Sequence, residues 1–228
     1  MTPKPRASHA KDKARILIVD DHPIVREGLA LRLNHQPDME VCGEADSVPN
    51  ALKAITDCRP DLAVVDLTLR GRSGLELIKD LHVRHPKLPV LVLSMHDESL
   101  YAERALRAGA RGYIMKQEAA DHVIEAIHRI LAGKVFLSEK MAARVLDTFV
   151  VGKTEPAASP AQRLSDRELQ VFELIGRGFS TRRIAETLHV SVKTAEAYRA
   201  NIKRKLELKD AAELTRRAVI WVEEEMEA

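Results

Sequence analysis

The stretch 15-RILIVDDHP-23 decides how the first half of this chain is read. Four apolar residues, Ile16, Leu17, Ile18 and Val19, run straight into two adjacent carboxylates, Asp20 and Asp21. A short unbroken apolar run bounded by polar residues reads as a buried strand. Like charges side by side repel, so a strand that ends in such a pair needs something positive beside it.

Working outward, short apolar runs alternate with helical patterns. PIVREGLALRLNH is a helix. MEVCGEA is a second strand, and SVPNALKAITDC a helix opening on the capping-type residue Ser47. DLAVVD is a third strand ending in Asp66, followed by the helix SGLELIKDLHVRH. PVLVLS is a fourth strand ending in Ser94, and ESLYAERALRAG a helix closed by Gly109. ARGYIMK is a fifth strand ending in Lys116, and AADHVIEAIHRILAG a helix closed by Gly133. Five β–α units in a row predict an α/β fold, a doubly wound parallel sheet with helices on both faces. Ligands of such sheets sit at the carboxyl ends of the strands.

That rule gathers the polar strand ends. Asp20, Asp21, Asp66, Ser94 and Lys116 all point to one rim. Three clustered carboxylates need a cation, and hard oxygen ligands favour Mg²⁺. A carboxylate in that setting can also act as a nucleophile toward phosphorus. Lys116 and Ser94 would then hold the phosphoryl oxygens. His22 and His96 flank the crevice and are read as surface residues without a catalytic role.

The pattern changes after residue 133. FLSEKMAARVLDTFV reads as one more helix, and VGKTEPAASPAQ, rich in Pro, Ala, Gly and Ser, as an exposed linker. From Leu164 onward the strands vanish and four helices follow, Ser165 to Gly176, Thr181 to Leu188, Val192 to Leu206 and Ala211 to about Glu224. The chain therefore divides into a polar, disordered tail (1–13), an α/β domain (14–133), a helix and linker (134–162) and an all-α domain (163–228).

Net charge is +2, which alone does not announce a nucleic-acid binder. Its distribution says more: residues 163–206 carry ten Lys or Arg against five Asp or Glu, whereas 207–228 carry three against seven. The two cysteines, Cys42 and Cys58, are too few for a disulfide framework or a structural zinc site and read as packed, reduced thiols. The basic start has no apolar core of a signal peptide, and no run is long enough to cross a bilayer. These features predict a cytoplasmic protein with no membrane partner.

ILIVDDHPIVREGL, DLAVVDLTLRGRSGLELI, VLVLSMHDE and ALRAGARGYIMK resemble the CheY-like, flavodoxin-like receiver domain of two-component response regulators, over residues 14–133. The resemblance implies that Asp66 is the phosphoacceptor. It implies that Asp21 and Asp66 bind Mg²⁺ directly, with Asp20 helping through water and the Thr68 carbonyl completing the site. Ser94 and Lys116 would contact the phosphoryl group, and Tyr113 would be the aromatic whose rotamer changes with phosphorylation. Arg70 departs from the family's usual Pro. A phosphohydrolase is the competing class, but Thr68 stands where such enzymes place a second Asp as acid. The chain is therefore not expected to be an enzyme.

In the second half, STRRIAETLHVSVKTAEAYRANIKRKL reads as helix, turn, helix. Ile184, Ala185, Leu188, Val192, Ala195, Ile202 and Leu206 are expected to face a core. LSDRE, GFS, IAETL and SVKT…NIKRKL resemble the LuxR-type helix-turn-helix over residues 163–209. Together with the receiver this is similar to the NarL/FixJ response regulators. Such modules lay the second helix in the major groove. By position, Glu196, Ala197 and Ala200 face bases, while Arg183, Lys193, Thr194, Arg199 and Lys203 contact phosphates. Ala195 and Tyr198 stand where the family usually has Val and His. The last helix reads in one of two ways: either it exposes Leu214, Val219 and Trp221 as a surface that in the family can pair subunits, or it packs them in a plain core. The resemblance implies a transcription regulator of double-stranded DNA. A sensor histidine kinase would phosphorylate it, and it would form a homodimer when phosphorylated.

Overall fold

The computed structural model describes residues 13–69, 73–143 and 163–227. Residues 1–12 of the expected tail, the linker and the last seven residues of the helix before it lie outside these residues, as does Arg70. Residues 139–143 are helical where the description stops.

The first half is a five-stranded parallel sheet, β1 (Ala14–Val19), β2 (Met39–Ala45), β3 (Leu62–Val65), β4 (Val90–Ser94) and β5 (Gly112–Met115), in the order β2-β1-β3-β4-β5. Five helices connect or follow the strands: α1 (Pro23–Asn34), α2 (Val48–Cys58), α3 (Gly74–Arg84), α4 (Glu98–Ala108) and α5 (Ala119–Leu131). β1 and β3 are central, so their side chains are buried on both faces, and that is why they read as unbroken apolar runs. Ile16, Ile18, Leu62, Val64, Leu91 and Ile114 pack on one side against α1 and α5. Leu17, Val19, Ala63, Val65 and Val92 pack on the other against α2, α3 and α4. Each such side chain contributes about 1.5–3 kcal/mol by leaving water.

The order places the topological switch between β1 and β3, whose carboxyl ends carry the acidic residues. The β1–β2 register slips at Ile16/Leu17, so that Cys42 has no partner across the ladder. Cys42 is half-buried and its Sγ lies 3.0 Å from that of half-buried Cys58. The two thiols pack on each other rather than separately among apolar neighbours. Burial pushes the Cys42 thiol up to about 12.

The second half is α6 (Asp166–Gly176), α7 (Thr181–Thr187), α8 (Val192–Leu206) and α9 (Ala211–Glu227). Serines set three of the starts. Ser165 forms a reciprocal capping box with Glu168, and Ser180 and Ser191 accept from Arg183 N and Thr194 N. Ser47 stands at the N-cap of α2, but its side chain makes no capping bond. Of the two readings of the last helix the structure has the core one, and the expectation of a core position for Val192 is corrected. Leu214 and Trp221 are 0% and 2% exposed, because α9 lies along α6 and Trp221 meets Phe172 at 5.3 Å between ring centroids. Only Val219, half-buried, and Ile220 remain near the surface. Val192 is 45% exposed, since it is the first residue of α8 and projects before the helix meets its core.

Candidate phosphoacceptor pocket and helix-turn-helix

β1 and β3 end side by side, and backbone bonds carry the ladder one residue past them: Asp66 N donates to Val19 O at 2.8 Å and Asp20 N to Ala45 O at 3.0 Å. Asp20, Asp21 and Asp66 are thereby fixed at the rim, 2%, 4% and 2% exposed. Lys116 begins a 3₁₀ turn directly after β5. Its ammonium lies 2.7 Å from both Asp20 Oδ2 and Asp66 Oδ2. Thr68 N donates to Asp66 Oδ1 at 3.2 Å.

Burial pushes the Asp66 carboxyl above its ordinary value, and the Lys116 charge only partly draws it back. Burial also works against the Lys116 ammonium, but Asp66 and Asp20 outweigh it and hold Lys116 above the usual lysine value. One ammonium among three buried carboxylates leaves excess negative charge, which is costly at low dielectric. Asp21 shows the deficit most clearly. Its oxygens lie 2.8 Å from His22 Nδ1 and 2.9 Å from His189 Nε2, yet neither has an aligned hydrogen bond. Ligand atoms of Asp20, Asp21, His22 and Asp66 all fall within 4.8 Å of one another. Buried, incompletely bonded carboxylate oxygens in one cluster fit a hard divalent cation.

Ser94 is fully buried and its Oγ accepts from His96 N at 3.2 Å. Tyr113 is 1% exposed and its hydroxyl donates to His96 O at 2.8 Å. Burial holds the Tyr113 phenol well above its ordinary value, so it remains a donor. The expected pocket residues therefore come together. His96 was misplaced: it is 9% exposed, not a surface residue. Its ring stacks on Tyr101 at 4.5 Å, and Nε2 lies 3.1 Å from Thr68 Oγ1.

In the helical half, Ile184, Ala185, Leu188, Ala195 and Ile202 are buried, with Leu206 packed partly against them. Ala195 leaves no gap to solvent, being 0% exposed. Lys193, Glu196, Ala197 and Ala200 are exposed along one side of α8, with Arg199 and Lys203 half-buried. The Arg183 guanidinium lies 4.1 Å over the Phe179 ring. The Thr194 hydroxyl is 2.7 Å from Ser191 Oγ at the start of α8.

Comparison with known proteins agrees with this geometry. Residues 16–128 match the response regulator receiver domain, and residues 162–218 match bacterial regulatory proteins of the luxR family. The oxygen regulatory protein NreC of Staphylococcus carnosus (strain TM300) is 36% identical over 209 residues, covering 90% of this chain and 96% of NreC. The chain belongs to the response regulators with a LuxR-type helix-turn-helix. A LuxR-family two-component response regulator from Aurantimonas sp. SI85-9A1 is 35% identical, with a TM-score of 0.56 over 61% of this chain and 99% of that one. A structure of two RcsB dimers bound to two parallel DNAs is 26% identical, with a TM-score of 0.56 over 92% of this chain and 100% of that one. The family is one of transcription regulators, not enzymes. Among the described residues no helix is long and apolar enough to cross a membrane.

In this response regulator the two halves touch, through His96 and through residues the sequence did not single out. Glu173 on α6 is 1% exposed, and its Oε2 lies 3.0 Å from His96 Nδ1. Burial would push the Glu173 carboxyl up, but His96, with Arg177, holds it below the ordinary glutamate value. Asp166 pairs with Arg104 at 2.7 Å and Lys79 at 2.8 Å. Arg104 also donates to Leu164 O at 2.9 Å, and Arg167 to Leu69 O at 3.3 Å. The signal for this interface was weak. Arg167, Glu168, Gln170 and Glu173 share a helix whose apolar residues already fill one core, and four polar residues there read as a solvated face. All four are buried.

Proposed function

We propose that Asp66 takes a phosphoryl group from the phosphohistidine of a sensor histidine kinase, and that this controls how the C-terminal domain engages DNA. The observation that carries the reading is the pairing of Asp66 Oδ2 with Lys116 at 2.7 Å beside an Asp21 carboxylate that lacks hydrogen bonds. In the transfer an Asp66 oxygen forms a bond to phosphorus as the phosphorus–nitrogen bond breaks, and the imidazole departs and takes up a proton. Asp20, Asp21, Asp66 and the Thr68 carbonyl would hold Mg²⁺, which when bound neutralises charge on the phosphoryl oxygens. Lys116 remains as the fixed cation of the site, and Ser94 turns its hydroxyl toward the new group. Ser94 now accepts from His96 N and Tyr113 donates to His96 O, so a shift of both loosens the loop that carries His96.

The exposed side of α8 supports a DNA reading in which Glu196, Ala197 and Ala200 face bases. Arg183, Lys193, Thr194, Arg199 and Lys203 would contact phosphates, which position without specifying. The likeness to RcsB, seen as dimers on DNA, supports a homodimer as the bound form. The domain limits proposed are 14–133 for the receiver and 163–228 for the DNA-binding part, with 134–162 between them and 1–13 as a tail, in a cytoplasmic protein.

The test compares wild type with Asp66→Asn, each with and without a small-molecule phosphodonor and Mg²⁺. Mass spectrometry reads phosphate incorporation, and gel shift with sedimentation reads DNA binding and dimers. All three responses are expected in wild type alone. Equal incorporation in Asp66→Asn overturns the site. Incorporation without any change in DNA binding or association overturns the switch.

A further inference from the structure

The docked helix-turn-helix does not hide its own recognition face. Lys193, Glu196, Ala197 and Ala200 remain exposed. What the docking reaches is the acidic pocket. His189 lies in the turn between α7 and α8, held at φ 52, and its Nε2 is 2.9 Å from Asp21 Oδ2. The other Asp21 oxygen is met by His22 Nδ1 at 2.8 Å. Each imidazole nitrogen thus stands directly against one of the two Asp21 oxygens. A divalent cation would meet the same oxygens.

We propose that His189 is a built-in competitor for the cation site, so that the docked DNA-binding domain and a divalent cation exclude one another at Asp21. The proposal rests on reading the pocket as a cation site. His22 follows Asp21 directly and can swing aside on its own exposed loop. His189, in contrast, is brought to Asp21 only by the docked domain, which sets the position of its backbone. The contacts of Asp166 with Arg104 and Lys79, of Glu173 with His96, and of Arg167 with Leu69 O fix it there. Freeing Asp21 from His189 therefore removes one of the contacts that favour docking. By linkage, whatever loosens the docking tightens cation binding, and saturating cation loosens the docking by the same factor. The device gates loading of the phosphorylation pocket rather than access to DNA.

The experiment uses the full chain and Mn²⁺ as the probe, with the free aqueous ion counted by its paramagnetic resonance signal. Wild type is compared with His189→Gly, which suits the positive φ, and with Glu173→Gln, which weakens the docking without removing a group that meets Asp21. Both variants are expected to bind Mn²⁺ about five-fold tighter or more. Small-angle scattering of wild type is expected to show a larger radius of gyration at saturating Mg²⁺. Equal or weaker binding in His189→Gly overturns the competition, because His189 would then be neutral toward the ion or a support for it. Tightening in Glu173→Gln alone overturns the role of His189 and leaves the docking as the barrier. No Mn²⁺ binding in any of the three overturns the cation-site reading, and the competition with it.

Discussion

Lys116 sits with its side chain 7% exposed between Asp20 and Asp66, so it is the fixed counter-charge of the whole cluster. Removing it leaves three buried carboxylates without their lysine. Lys116→Met is expected to lower stability by about 3–5 kcal/mol in a chelator. Much of that should return on adding Mg²⁺, read by urea denaturation in both conditions. A second residue gives a pH signature. Burial raises the Glu168 carboxyl, but Lys205, at 2.6 Å, and Ser165 outweigh it and hold it below the ordinary glutamate value. A carboxylate whose folded pKa is depressed stabilises the fold above its unfolded pKa. That stability is lost as pH falls through the folded value. Wild type should therefore exceed Glu168→Gln by roughly 1–2 kcal/mol at neutral pH. The gap should close below the ordinary glutamate range, as compared denaturation curves at the two pH values will show.

At the scale of elements, the start of α3 packs directly on the backbone of Asp66 and Leu67. Ser73 Oγ accepts from Leu75 N, and Gly74 N donates to Leu67 O at 2.8 Å. A Cβ on Gly74 would fall on the Asp66 carbonyl oxygen, a backbone atom that cannot step aside without moving Asp66. Gly74→Ala is expected to cost about 1–3 kcal/mol by overpacking. It should also slow phosphodonor labelling of Asp66, with melting temperature and labelling rate measured on one preparation. The strands and their acidic ends were legible because a central parallel strand must be apolar on both faces, and its first polar residue marks the rim. The last helix stayed open between two readings for a related reason. Leu214 and Trp221 looked surplus to a small core only while α6 was counted as amphipathic. α6 is buried on all sides from Arg167 to Ile175, with α9 on one side and the receiver on another. Apolar periodicity records which residues leave water, not which neighbour removes them. His96 and Glu173 were missed on the same ground, since a polar pair buried between domains has the composition of a solvated loop and a helix face.

At the scale of the molecule, the apolar residues of the two halves join in one buried cluster, and polar contacts are spread around it. Arg104 is the interface's best single handle. It bridges α4 to both Asp166 and the Leu164 carbonyl, yet it lies outside the acidic pocket. Side-chain exposures of 18% and 14% place the Arg104–Asp166 pair between a surface bridge and a buried one. Its loss should weaken docking by about 1 kcal/mol or more without unfolding either half. If docking gates the pocket, Arg104→Ala should raise the rate of Asp66 labelling by a small-molecule phosphodonor roughly five-fold at limiting Mg²⁺. The difference should vanish at saturating Mg²⁺, where the cation has already opened wild type. Rate against Mg²⁺ concentration for the two proteins distinguishes this from a direct effect on chemistry. A direct effect would separate the curves at every concentration, whereas a gate moves the midpoint and leaves the plateau in place.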